Sequence, residues 1–526
     1  MKRKLFIICT INFILMIFLA GCMKADSTRM NTTEKEEAEE REEAKDLKGT
    51  DSFTSHGLKF VVNYGFDGFV KFGQYFRIQG TITNQGEERD GIFQVVIPGE
   101  EKDNGVYQQK IHLKSHDSGN VEFVIPMDGV NDQFQYSFIE EDKTIVEKMA
   151  TVKLLQDSQD IFFGVLTNNQ EKFRYLEDGD KKLYYLSKDN FPDDSLVLES
   201  FDGIIIDDYN ADEFSESQYT ALLQWVKEGG SLILDKNSSG YFGDSLGKSS
   251  QNRYFTKYNL EFGNIIVLNE ELDSLEQQEY TRAELWKEIV RNLGESKSLN
   301  RENKYGGSYY NYRIKDILSI PESREIPKAG GYGIVLGIYV FLIGPLLYLV
   351  LKKKDKRHLT WILVPVIGVV FTFVIYALGN TTRITKPFGR YLTYATVGED
   401  GFTSEHTYFS FTSPYNREYK VTFDDGYNVG IVSNQYGYMY MNQKDHDYSD
   451  YTKLVEQGEG KTSVFLKDFS SFAPLYFTIR RNTAGQGTYD YLIQDNMEKI
   501  TGEFTNHLGY DLEYTGVVCN GTILPV

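Results

Sequence analysis

Cysteine is nearly missing: the 526-residue chain holds three, Cys9, Cys22 and Cys519. So few thiols exclude a disulfide-stapled scaffold and any Cys-rich zinc module. Histidine is sparse as well, seven in all with none between His116 and His358, and no HExxH or CxxC spacing occurs. A closed metal site draws ligands from such spacings, so none is expected. Positive charge is outweighed, 56 Lys+Arg against 76 Asp+Glu for a net charge of −20. Phosphate binding needs concentrated Lys and Arg, and no large segment supplies it, so nucleic acid is excluded as a partner. Apolar and aromatic residues are plentiful, at 41% and 14%. That is enough for real cores, and the length implies several domains.

The N-terminus is basic over Met1–Lys4 and apolar over Leu5–Ala20, the pattern of a secretory signal, here residues 1–21. It ends Leu19-Ala20-Gly21-Cys22, which resembles the lipobox of bacterial lipoproteins. That resemblance implies cleavage after Gly21, with the Cys22 thiol taking a diacylglyceryl group and palmitate-type acylation. The competing reading is an uncleaved signal anchor with an incidental Cys. Cys9 would leave with the signal and Cys519 would have no partner, which suits export without disulfides. Residues 22–56 read as the lipidated Cys and an acidic tether. Glu34–Asp46 alone carries eight acids and three bases, a composition that stays solvated.

Two uncharged apolar segments follow far downstream, at 329–351 and 359–380, each long enough to cross about 30 Å of hydrocarbon as a helix. Between them, residues 352–358 hold five bases in seven positions. A short basic loop stays cytoplasmic. The expected topology is therefore an exported region before the hairpin, including a juxtamembrane linker at 296–328, and an exported region after it. The expected location is the bacterial plasma membrane. Gly344-Pro345 and Pro365 are expected to kink the helices.

Residues 57–155 read as short alternating strands broken by turns, which suggests an immunoglobulin-like β-sandwich. Residues 158–295 alternate strands with helices. Ile161–Leu166 and Gly203–Ile206 are continuous apolar runs, as buried parallel strands are. Ser215-Glu216-Ser217-Gln218 has capping-box spacing, Gly229-Gly230 stops the helix, and strands resume at Ser231 and Asn264. The expectation is a parallel α/β sheet. Residues 383–526 read as an all-β domain that stops in apolar, strand-like sequence at Thr522–Val526. The expectation there is truncation, or a last strand completed elsewhere. The fold class expected overall is multidomain: Ig-like sandwich, parallel α/β domain, two-helix transmembrane hairpin and C-terminal all-β domain.

Phe201-Asp202-Gly203-Ile204-Ile205-Ile206-Asp207-Asp208, followed by Gln224-Trp225-Val226-Lys227-Glu228-Gly229-Gly230-Ser231-Leu232-Ile233-Leu234, resembles class I glutamine amidotransferase-like domains of bacterial membrane proteins. Those domains occur in uncharacterised families related to accessory proteins of ABC-type transport. The family's hydrolases use a Cys nucleophile activated by His and an acid, and this chain has no Cys between Cys22 and Cys519. The resemblance thus implies a fold kept for binding or assembly: no catalytic residue, no cofactor, no enzyme.

Asp207 and Asp208 follow a parallel strand where open α/β sheets place ligands, and Asp235 ends the next strand similarly. They are the candidate ligand-binding residues; the alternative is that they cap helices. Asp445-His446-Asp447 is too local for a metal site, and Tyr436, Tyr438 and Tyr440 share one strand face, as core or as a sugar-stacking surface. Tyr309, Tyr310 and Tyr312 precede the first span, where interfacial aromatics are favoured. Thr83-Asn84-Gln85-Gly86 is echoed by Thr505-Asn506-His507-Leu508-Gly509, suggesting one strand–turn device in two sandwiches. The function expected is a non-catalytic subunit of a membrane complex, with membrane lipids and an integral partner such as an ABC-type permease. The alternative is a cell-surface binding module or sensor.

Overall fold

Alternation of apolar and polar residues builds the first strands: Leu58, Phe60, Val62 and Tyr64 are buried while Lys59 and Asn63 face out. The computed structural model describes residues 49–99, 104–127, 132–155, 160–177, 181–209, 213–238, 240, 249–270, 279–296, 314–318, 329–380, 386–398, 401, 403–424, 426–431, 448–458, 460–483, 487–495, 500–519 and 522–525. They divide into two units. One comprises the chain up to Val95 with Lys110–Ser298; the other comprises Val96–Gln109 with Leu299–Val526.

In the first unit, β1 (Thr50–Ser55), β2 (Leu58–Tyr64), β4 (Tyr75–Asn84) and β7 (Ser118–Pro126) form one antiparallel sheet; β3 (Phe69–Lys71) stands apart from it. It is faced by β5 (Arg89–Ile97, up to Val95), the end of β6 (Gly105–Leu113), β8 (Gln133–Glu140) and β9 (Lys143–Thr151). Ring pairs Phe60–Phe138, Tyr64–Phe134 and Phe93–Phe123, with centroids 5.8, 5.3 and 6.0 Å apart, fill the space between. The tether expected over 22–56 is corrected at its end. Thr50–Ser55 pairs along its length with β2, and Asp51 accepts a hydrogen bond from the Tyr136 hydroxyl at 2.7 Å.

β10 (Lys153–Leu155) runs parallel to β3 and leads into a second sheet. Its strands are β11 (Ile161–Thr167), β12 (Lys181–Leu186), β13 (Gly203–Asp207), β14 (Ser231–Leu234), β15 (Ser249–Gln251), β16 (Phe255–Leu260) and β17 (Gly263–Leu268), in the spatial order β12-β11-β13-β14-β17-β16-β15. The first five are parallel. β16 and β15 are antiparallel, so the all-parallel sheet expected from the sequence is mixed. The cause is local: Glu261-Phe262 joins β16 to β17 as a two-residue turn, and so short a link joins only antiparallel neighbours.

Both faces of this sheet are covered, which is why β13 and β14 are buried at every position. On one face lie α1 (Ser195–Leu198) and α2 (Glu216–Lys227), with Leu222, Trp225 and Val226 inward. On the other lie the 3-10 turn Gln170–Leu176 and α3 (Glu279–Ser296), with Trp286, Ile289 and Leu293 inward. The capping box forms in both directions: Ser215 Oγ accepts from the Gln218 amide, and Gln218 Oε1 from the Ser215 amide. Gly229, at φ 119°, ends α2. The sandwich and the α/β sheet, expected as separate domains over 57–155 and 158–295, share a core, with the Phe66 and Phe201 rings tilted against each other, centroids 4.4 Å apart.

In the second unit, β18 (Phe388–Val397), β19 (Thr403–Thr412), β24 (Leu475–Thr483) and β21 (Asn428–Ile431) form one sheet. β20 (Tyr419–Asp424), β23 (Lys461–Leu466) and β22 (Lys453–Gly458) form another, and β22 pairs in parallel with β6 over Gly105–Gln109. The hairpin tip expected inside the first sandwich therefore belongs here. Asn104, fully buried, accepts from the Gly99 amide and donates to the Asp450 carbonyl, both at 2.9 Å. The Ile431 amide donates to the Tyr107 hydroxyl at 2.9 Å. β25 (Thr488–Asp495) pairs with β26 (Ile500–His507), and β27 (Gly516–Cys519) with β28 (Thr522–Pro525). The echoed motifs do share a device: the amides of Gly86 and Leu508 donate to Asn84 and Asn506 side chains at 3.0 and 2.9 Å. Asn506, however, sits in a separate two-stranded ribbon.

Among the described residues, two helices are long and apolar enough to cross a membrane. α4 runs Ala329–Phe341, passes through a π turn at Leu342–Leu346, and continues over Leu347–Lys353. Pro345 explains the π turn, since it has no N–H and crowds the carbonyl one turn back. α5 is Thr360–Asn380, so Pro365 is accommodated inside a continuous helix. The basic loop is shorter than its expected 352–358, because α4 runs on to Lys353 and a 3-10 turn covers Arg357–Leu359. Tyr339 and Phe371 bring the helices together, ring centroids 5.1 Å apart.

Candidate functional site

The five parallel strands follow the order second-first-third-fourth-fifth, so crossovers leave β11 in opposite directions. Open α/β sheets bind ligands at that switch point, outside the carboxyl ends of the strands. Here the switch lies between β11 and β13, where Thr167 stands in register with Asp207.

Asp207 is buried. Its carboxylate accepts from Thr167 Oγ1 at 2.8 Å and from Lys172 Nζ at 3.2 and 3.4 Å, the lysine reaching in from the 3-10 turn. Burial raises its pKa; Thr167 and Lys172 work against that, and the nearby Asp235 adds to it. Asp235 is also buried, but its oxygens close a turn by accepting from the Ser238 and Asn237 amides at 2.9 and 3.2 Å. This is the local side-chain turn that Asp favours. Asp208 is exposed, at φ 49°, and its carbonyl accepts from Asn168 Nδ2 at 3.0 Å.

The structure thus brings Asp207 and Asp235 within electrostatic reach and directs each to protein donors. Among the described residues no group of three or more His, Cys, Asp or Glu could hold a metal ion. Chemically the crest is a carboxylate held by a lysine and a hydroxyl, with a second carboxylate closing the adjacent turn. Thr167 and Lys172 are the residues that sequence reasoning missed. Their only link to Asp207 is spatial, across 40 and 35 residues.

One motif qualifies the exclusion of acyl-transfer chemistry drawn from the missing Cys. Gly243-Asp244-Ser245-Leu246-Gly247 has Gly-x-Ser-x-Gly spacing. A nucleophile elbow joins a strand directly to a helix; this segment lies outside the described residues. Gly21, Cys22, Tyr309, Tyr310, Tyr312, Tyr436, Tyr438, Tyr440 and Asp445-His446-Asp447 also lie outside the described residues.

A domain family of unknown function, DUF8726, matches residues 57–153, the span from β2 to the start of β10. No curated protein matches the chain. Among solved structures, a Pseudomonas fluorescens alkylpurine DNA glycosylase bound to DNA is 8% identical, with 19% of this chain and 30% of that one covered at a TM-score of 0.15. A Listeria innocua beta-glucosidase is 10% identical, over 18% of this chain and 16% of that one, at 0.15. A Bacteroides uniformis beta-glucuronidase is 10% identical, over 37% and 24%, at 0.12. The chain spans less than a third of each of these neighbours, and at such TM-scores the likeness carries no argument about fold or activity.

Proposed function

We propose that this protein is a non-catalytic, lipid- and helix-anchored extracytoplasmic subunit of a bacterial membrane complex, whose exodomains serve as scaffold or partner-binding surfaces. The observation that carries this reading is the exposure of both apolar helices: Trp361 is 87%, Phe373 69% and Ile334 67% exposed. Side chains of that kind are stable only in lipid or against other helices. Lipidation at Cys22 adds a second attachment, on the strength of the lipobox-like sequence.

The topology is supported by the β6–β22 ladder. It joins residues that precede both helices to residues that follow both, which an even number of crossings permits and an odd number forbids. The basic loop then lies in the cytoplasm and the β-rich regions outside. The immunoglobulin-like reading of the sandwich is supported by its two facing antiparallel sheets. The amidotransferase-like reading of the α/β domain is supported by its five-strand parallel core. The resemblance to transport accessory proteins makes a permease the partner class we favour.

The test is affinity purification of the full chain from membranes in mild detergent, through a tag in the acidic tether. Stoichiometric recovery of an integral membrane protein or an ATPase supports the subunit reading. A clean monomer under the same conditions removes it.

A further inference from the structure

A cleft of about 370 Å³ opens in the first unit, where the end of the β2–β4 sheet meets the loop after β12 and the start of α2. Its size falls within the range of small-molecule sites, roughly 300–1,000 Å³. None of Asp207, Asp208 and Asp235 lines it.

The lining is chemically mixed and mostly polar. Asp67, Asp189 and Asp193 bring carboxylates, Arg77 a guanidinium, Asn190 an amide and Tyr184 an aromatic ring. Several of these groups are held in place before any ligand arrives. Asp67-Gly68 forms a two-residue turn with both φ values positive, 51° and 79°, closed by reciprocal Phe66–Phe69 backbone hydrogen bonds at 3.0 and 2.9 Å. This is the tight hairpin turn for which Asp-Gly is suited. Lys153 Nζ donates to the Asp67 carbonyl at 3.2 Å and so engages the turn's backbone. Asn190 Nδ2 donates to the Tyr184 hydroxyl at 3.3 Å, and the buried Phe66 ring backs Tyr184 at 5.0 Å. Arg77 meets Asp193 and Glu122 only at 3.4 Å each, contacts long enough to be exchanged for a ligand's.

Two ligand classes are disfavoured by this composition. An apolar ligand wants a lining dominated by hydrocarbon. A phosphate or nucleotide would face three carboxylates against one arginine that is already engaged. What remains well matched is a compound with many hydroxyl groups and one apolar C–H face. Carboxylates accept from adjacent hydroxyls, the amide and guanidinium donate back, and an aromatic ring supplies an apolar body with a polar tip. Groups fixed beforehand reduce the ordering cost of such binding. We propose that this cleft is a binding site for a small saccharide of one or two rings. The proposal is independent of the membrane-subunit reading.

The test is titration calorimetry on the full chain in detergent with glucose, galactose, mannose, N-acetylglucosamine, spermidine and inorganic phosphate as probes. The expected result is a dissociation constant of millimolar order or tighter for at least one sugar, weakened about tenfold or more by Asp67→Asn and by Asp189→Asn. Both positions are exposed, and Asn tolerates the left-handed backbone at 67, so melting temperatures should match the parent's. The proposal is overturned if no sugar binds, if both variants bind sugar unchanged, or if spermidine or phosphate binds in the sugar's place.

Discussion

Lys71 Nζ lies 2.7 Å from Asp202 Oδ1, with both side chains sealed from solvent at 1% and 2% exposure. The pair joins β3 to the residue just before β13, across 131 positions of sequence. Asp202 Oδ2 also accepts from the Phe162 amide at 2.9 Å, so one carboxylate serves the pairing lysine and the start of β11 together. Removing one member of a buried pair strands the other's charge, at about 3–5 kcal/mol. Lys71→Met should therefore cost that much and lower hydrogen-exchange protection at Phe162. Adding Asp202→Asn should recover part of the loss, as a double-mutant cycle in urea would show.

Gly263 opens β17 directly against the end of α2. A Cβ placed there would sit 1.9 Å from the Val226 carbonyl oxygen and 2.4 Å from that of Gly230. Both neighbours are backbone, so no side-chain rotation relieves the clash. Gly263→Ala should destabilise the first unit by about 3 kcal/mol, seen as a lower urea midpoint, while Gly240→Ala, with open space around it, should leave the midpoint in place.

Burial first, and the Arg480 guanidinium second, push His406 down to about 3, where it stacks on Tyr408 with centroids 4.5 Å apart. A depressed histidine stabilises the fold while both states are neutral, that is, above its ordinary unfolded value of about 6.5. As pH falls from there toward 3, the unfolded chain takes a proton that the folded chain refuses, and stability drops. His406→Phe, which keeps the ring, should flatten the pH dependence of the second unit's melting temperature between those limits.

Asn104→Ala would leave the Gly99 amide and the Asp450 carbonyl without their side-chain partner. Losing a buried hydrogen-bonding group costs about 1–3 kcal/mol. The β6–β22 ladder should open first, so the expected readout is faster exchange of amides over Lys453–Gln457, with β11–β14 unaffected.

The proposed topology has its own check. In a full chain whose Cys519 is replaced by Ser, Asp355→Cys should resist a membrane-impermeant thiol reagent in intact cells and react after permeabilisation. Tyr514→Cys, at a position 89% exposed, should react in both. Equal labelling of Asp355→Cys before and after permeabilisation would place the basic loop outside and reverse the orientation.

What was legible in the sequence was local. The apolar runs at Ile161–Leu166 and Gly203–Ile206 announce strands covered on both faces, and Ser215 with Gln218 announces a helix start that forms as a reciprocal cap. Periods and caps are short-range signals, read within one or two turns of chain. The carboxylates at the ends of β13 and β14 could be placed for the same reason. Their partners could not: nothing near Lys172 in sequence marks it for Asp207, and nothing near Lys71 marks it for Asp202. The strand Thr50–Ser55 was hidden by its polar, acidic surroundings, because its burial alternates only between exposed and half-buried. The tip of the β5–β6 hairpin reads as a turn within its own sandwich until a strand from far away pairs with it.

That pairing also bears on how the protein is made. Asn104 and Asp450 are 346 residues apart, and if the two helices cross the bilayer, the whole hairpin must be threaded before β22 reaches β6. Until then the Gly105–Gln109 stretch of β6 waits with an open strand edge, a surface that invites wrong partners. Contacts of such long range form slowly. Under the proposed topology, a chain whose helices inserted with a single crossing could not close this sheet. Under the proposed topology the ladder would act as an assembly check: only a correctly threaded molecule would complete it, and an incomplete one would keep exposed the edge that quality-control proteases would find.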